Sequence, residues 1–160
     1  MCILGAAAIG AASLVLARAY AGFVRRRVRE YESLLAFLTL MRREMSCSLL
    51  TPRELAERSG NAILEEIGFT SALRRGEHIG RAFSLARGGL CISEEDSSVL
   101  LAFFERFGKG SLDTELRSLE ETIAVFSERA ALEGEDAPRE IRLSATLLTL
   151  AALALVILLL

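Results

Sequence analysis

The side chains with chemical reach are few and badly spaced for catalysis. His78 is the single histidine of the 160-residue chain, and the thiols stand far apart at Cys2, Cys47 and Cys91. A zinc site needs several nitrogen or sulfur ligands brought together by close pairs in sequence, which one imidazole and three scattered thiols do not provide. No metal ligand is therefore assigned, and His78 reads as a surface or satisfied residue. The carboxylate pairs Glu65-Glu66, Glu94-Glu95 and Glu120-Glu121 are adjacent in sequence. Neighbours on a helix diverge and would not share a proton, so these read as solvated faces and helix-end charges. Gly76-x-x-x-Gly80 and Gly108-x-Gly110 lack the Lys-Ser/Thr ending of a phosphate loop and follow no strand. Serines are plentiful, but no second basic group stands ready to activate one. The expectation is a non-enzyme with no cofactor and no small-molecule substrate; a membrane-tethered enzyme or signalling domain is the competing class.

The elements that carry these residues are dominated by the two ends. Leu143 to Leu160, eighteen residues, contains no charge. At about 1.5 Å per residue a helix of that length reaches roughly 27 Å, enough for the hydrocarbon core of a bilayer. Met1 to Ala17 is also uncharged, and apolar character resumes after Arg18 through Tyr20, Phe23 and Val24. A cleavable export signal is the rival for this segment, since Ala19-Tyr20-Ala21 has the small-x-small form. The leading stretch has no basic start, however, and Arg25, Arg26, Arg27 and Arg29 follow directly, where they oppose export. An uncleaved first span over residues 1–24 and a second over 143–160 are expected. The arginines after the first span, with Arg139 and Arg142 before the second, mark the membrane boundary and place residues 25–142 on the cytoplasmic side by the positive-inside rule. Whether Arg18 lies within the first span or at its end stays open.

The middle segment holds every charge but Arg18, with 18 basic against 21 acidic side chains and a net of −3. The signs are mixed throughout, without the basic stripe of a nucleic-acid platform. Reduced cytoplasmic thiols are expected, with acylation of Cys2 as the alternative.

Helical periodicity runs through this segment, giving an all-α fold: a small helical bundle flanked by the two transmembrane helices. Val28, Tyr31, Leu35, Leu38 and Met45, widened by Leu34, Phe37 and Met41, form an amphipathic stripe continuous with the first span and ending near Ser46-Cys47-Ser48. Thr51-Pro52-Arg53-Glu54 offers a capping box with proline at the first helical position. A brief stripe over Asn61 to Ile67 precedes a turn-prone stretch as far as Arg74-Arg75-Gly76. Glu77 to Arg87 and a helix opened by Ser93-Glu94-Glu95-Asp96 follow, the latter turning Val99, Leu100, Phe103, Phe104 and Phe107 inward. A last helix from Ser111 carries Leu112, Leu116, Leu119, Ile123, Phe126 and Ala130. It can pair with the first helix as a coiled-coil-like arm or through ordinary bundle packing, and Gly134 and Pro138 are expected to interrupt it.

The order of these parts resembles the stage III sporulation protein AB family. The resemblance is carried by the first span, the basic juxtamembrane helix, the Thr51-Pro52 turn, Phe103-Phe104-Glu105-Arg106-Phe107-Gly108, Leu112-Asp113-Thr114-Glu115 and the apolar end Leu153 to Leu160. It covers nearly the whole chain. The sequence departs from the family pattern where Lys109-Gly110-Ser111-Leu112 keeps only the glycine of a second Leu-Gly. Glu115 stands where glutamine is common, and the final span lacks glycines.

The resemblance implies a helical cytoplasmic portion similar to the inner-membrane platform protein of type II secretion and type IV pilus machines. It implies a non-catalytic scaffold of the sporulation channel complex in the mother-cell membrane around the forespore. Its partners would be the lipid bilayer, a cytoplasmic secretion-type ATPase and other membrane subunits, with oligomerisation possible and no nucleic acid. Phe107, Gly108, Leu112, Asp113 and Glu115 are the partner contacts so implied. A platform component of a pilus or secretion system is the alternative, although such proteins usually repeat their helical domain.

Overall fold

The computed structural model describes the backbone of residues 2–47 and 51–159 and the side chains of 8–46 and 51–158. Among the described residues the chain is all α: α1 (Cys2–Cys47), α2 (Pro52–Ser59), α3 (Ala62–Glu66), α4 (Phe69–Arg74), α5 (Ile79–Ala86), α6 (Glu94–Arg106) and α7 (Leu112–Leu159), with a 3-10 turn over Arg87–Gly89. The side chains of Cys2 and Cys47 lie outside the described residues. The chain divides into two units, one of Met1–Val28 with Leu132–Leu160, the other of Arg29–Ala131.

The first unit is an antiparallel pair formed by the start of α1 and the end of α7. Gly10, Ser13 and Ala17 line a groove of about 460 Å³ together with Ala145, Thr149 and Ala152. Leu14, Leu153 and Val156 complete the lining, so the groove is apolar apart from the Ser13 and Thr149 hydroxyls. Among the described residues two helices are long and apolar enough to cross a membrane, and no residue of the most apolar eighteen-residue window of α7 is buried. Leu147 is 65% exposed and Leu158 85%. A helix in the core of a water-soluble protein would cover such side chains; these face outward, as a lipid-facing surface does. The length, composition and exposure of these helices suggest membrane association.

Gly134 and Pro138, expected to break α7, lie inside it. An interior proline removes one backbone hydrogen bond and costs about 3 kcal/mol. The carbonyl left without its donor is that of Gly134, whose Cβ position would be open space, and the helix is held by side-chain bonds on either side of the proline, described below.

The second unit packs α2 to α6 against the Arg29–Cys47 part of α1 and the opening of α7. Phe37, Phe69, Phe83 and Phe104 form its centre, with ring centroids 5.1–6.4 Å apart. Tyr31 and Phe126 meet at 6.1 Å, which joins α1 to α7 within one shared core. The outcome is bundle packing. Edge-on and tilted ring contacts of this kind add to simple area burial.

Local signals set several of these helices. Thr51 and Glu54 close the capping box over α2, the Glu54 carboxylate accepting the Thr51 N–H at 2.8 Å. Asn61 caps α3 by accepting from Ile63 and Leu64 and donates to the Ser33 carbonyl of α1 at 3.1 Å. Two expectations are corrected. The turn-prone stretch before Arg75 contains α4, which has no side-chain cap at Gly68 and is held by burial of Phe69, Thr70, Ala72 and Leu73. Val99, expected inside, is 45% exposed, because α6 turns Leu100, Phe103 and Phe104 to the core instead.

Candidate functional site

Two surfaces follow from the sequence: the charged margin of the spans and the segment around residues 107–115. At the margin, Arg27 of α1 is gripped by two acids of α7. Its Nε donates to Glu133 and its Nη2 to Glu140, each at 2.7 Å. Glu133 and Glu140 are two helical turns apart on one face, so a planar guanidinium with donors on different edges spans them. Tyr20 donates its hydroxyl to the same Glu140 carboxylate. These bonds bracket Pro138 and keep the helix aligned across the missing backbone bond. Val24 and Ala137 are the buried apolar residues of this region.

The electrostatics follow the geometry. Burial alone would lower the Arg27 pKa, but Glu133 and Glu140 outweigh it and hold the group above its ordinary value. The Tyr20 hydrogen bond, followed by the Arg27 charge, holds the Glu140 carboxyl below its ordinary range. Of the boundary arginines, Arg27 is half-buried with these partners and Arg26 is half-buried; Arg25, Arg29, Arg139 and Arg142 are exposed. Sequence reasoning missed the acids. The seven-residue spacing of Glu133 and Glu140 was the available signal, but nothing local pairs them with an arginine more than a hundred positions away.

The second surface joins α6 to α7. Phe107 follows α6, meets Phe103 in a tilted ring contact at 5.7 Å, and closes an apolar hollow of about 50 Å³ with Met41, Met45, Leu55 and Ile79. Glu44 lines the same hollow, and its buried carboxylate receives Arg58 at 2.7 Å. Gly108 has φ +85°, a left-handed turn that glycine adopts without strain. Beyond it, the Gly110 N–H donates to Glu115 at 2.8 Å, and the Thr114 N–H donates to the Ser111 hydroxyl at 3.4 Å. Glu115 is thus bound into the start of α7, while Leu112 and Asp113 are exposed. The structure brings Gly110 and Glu115 together and turns Phe107 toward the bundle, leaving Leu112 and Asp113 as the outward pair.

The remaining reactive residues have structural places. His78 caps α5, its Nδ1 accepting the Gly80 N–H at 3.2 Å. Gly80 has a reason of its own: a Cβ there would lie 2.9 Å from the Glu105 backbone, so α5 and α6 pack closer than any side chain allows. Among the described residues no group of three or more His, Cys, Asp or Glu side chains could hold a metal ion.

The family model for stage III sporulation protein AB matches residues 2–160. The chain belongs to that family. The match runs from the first apolar arm through the bundle to the last, and membership implies a role at stage III of sporulation. No curated protein and no solved structure matches the chain.

Proposed function

We propose that this family member is a non-catalytic scaffold of the sporulation channel complex between mother cell and forespore, held in the mother-cell membrane with its helical bundle in the cytoplasm. It would dock a secretion-type ATPase to the membrane subunits. The observation that carries this reading is that α1 and α7 each contribute both an apolar arm to the first unit and core residues to the second. A bundle tied to the bilayer through both of its long helices confines partner search to the membrane surface, so weak contacts gain effective concentration. Docking then requires no deep pocket.

Leu112 and Asp113 are the contact residues this reading favours, because they are exposed at the opening of α7 and neither is used in its cap. Glu115 is less informative, since its replacement also releases the Gly110 N–H. The test is co-purification of the ATPase with full-length protein carrying Leu112→Asp and Asp113→Lys, together with progress through stage III in cells. Loss of both, with membrane level and helicity unchanged, supports the reading; full capture and normal sporulation by the double variant defeat it.

A further inference from the structure

The register of the antiparallel arms fixes a level that neither helix defines alone. Tyr20 bonds Glu140 and Arg27 bonds Glu133, so each step forward along α1 matches one step back along α7. The groove below keeps the same register within two residues, since Ala17 and Ser13 line it with Ala145 and Thr149. Extended between these contacts, the register places Arg18 level with Arg142 to within about 3 Å, at about 1.5 Å per residue.

That level matters because no charged residue lies beyond it on either helix. Residues 1–17 and 143–160 are both uncharged, each spanning roughly 26–27 Å as helix. Were the hydrocarbon boundary at Arg25 on α1, the same plane would cut α7 near Asp136 and sink Arg139, Glu140 and Arg142 into lipid. A charge drawn below the interface carries a cost that rises toward the bilayer centre. A boundary at Arg18 and Arg142 sinks none.

The arginines then divide by partner. Arg27 is occupied by Glu133 and Glu140. Arg18 and Arg142 are exposed, and no acidic side chain pairs with either among the described residues. A guanidinium held at headgroup depth presents a planar fork of donors that matches a phosphate. We propose that the bilayer interface crosses the helix pair at Arg18 and Arg142, and that these two side chains bind the phosphates of anionic phospholipids, while the Tyr20–Arg27–Glu133–Glu140 clasp lies on the aqueous side of that plane. The inference rests on the reading that both arms cross the bilayer.

The test uses full-length protein reconstituted in phosphatidylcholine nanodiscs with and without phosphatidylglycerol. Nitroxide labels on Arg18→Cys and Arg142→Cys, in a background lacking the native thiols, should report the same depth at the headgroup layer. Phosphatidylglycerol retained by the protein in native mass spectrometry should fall about fivefold for each of Arg18→Gln and Arg142→Gln, and should be unchanged in Arg27→Gln. A label at 18 lying well below that at 142 overturns the shared plane. Undiminished retention in the double glutamine variant, or displacement of the lipid by inorganic phosphate, overturns the lipid site. Protein that enters neither nanodisc overturns the membrane reading and this inference with it.

Discussion

The Tyr31 hydroxyl of α1 donates to the Asp96 carboxylate of α6 at 2.5 Å and accepts the Ser93 N–H at 3.4 Å. Ser93 is the N-cap of α6, its hydroxyl accepting from Asp96 N–H at 3.0 Å and donating to the Asp96 carboxylate at 2.7 Å. In an ordinary capping box the third helical residue reaches back to the cap N–H itself. Here Tyr31 stands between the two and makes the cap of one helix depend on another. Arg129 of α7 adds an ion pair with Asp96 at 3.5 Å, so three helices converge on one carboxylate.

Tyr31→Phe should therefore destabilise the bundle by about 1–2 kcal/mol, since it strands a nearly buried carboxylate bond and the cap N–H together. Asp96→Ala should cost more than Tyr31→Phe, and combining the two should cost less than their sum. Urea unfolding of the full-length protein in detergent, followed by circular dichroism, measures each. Strict additivity would contradict a shared network.

Gly80→Ala should cost about 1–3 kcal/mol, although alanine normally favours a helix. The added methyl meets the backbone of Glu105, which cannot rotate away. Gly88→Ala, with open space at its Cβ position, is the matched comparison and should be far milder. Thermal unfolding of the pair separates the close helix approach from a general glycine effect.

His78→Ala should lower stability by about 1 kcal/mol through loss of the α5 cap, and His78→Asn should recover most of it, since an asparagine oxygen can accept the same N–H. The same unfolding curves read the result. Equal losses in both variants would show that the imidazole has another task.

Acid should loosen the arms. The Glu140 pKa is lowered on folding, first by the Tyr20 bond and then by Arg27. Its contribution to stability is complete above the ordinary value of 4.5 and is lost as pH falls from there through the lowered folded value. Glu65 and Glu54 shift in the same direction within the bundle, so the contribution of Glu140 is read as the difference between wild type and Glu140→Gln. Cross-linking of Ala17→Cys to Ala145→Cys across the groove, followed from neutral to acidic pH, should change in the wild-type background and stay flatter in Glu140→Gln.

Periodicity and caps mark the proper start of α2, because Thr51, Pro52 and Glu54 act on backbone groups within four residues of one another. The same holds for Ser93 at α6 and for the uncharged ends, where composition alone decides that water is a poor solvent. No such signal marks α4, whose first residue follows Gly68 with no side-chain cap. That helix exists because Phe69 and Leu73 find a core made by α1, α5 and α6, and no local pattern records that core.

The exposed family segment shows the same division. Phe107 and Gly108 mark a helix end on sequence grounds, and they do end α6. That Glu115 returns to Gly110, leaving Leu112 and Asp113 as the outward pair, depends on the path of the turn between them.

By itself, then, the order of residues determined the helical class, the two apolar ends and most helix starts, since these depend on composition and on bonds spanning a few positions. Tertiary structure alone decided that Arg27 meets Glu133 and Glu140, that α7 runs on through Pro138, and that Tyr31 completes the cap of a helix about sixty positions away. Those outcomes require side chains distant in sequence to reach one place, and a local pattern of charge or hydropathy names the groups without naming their partners.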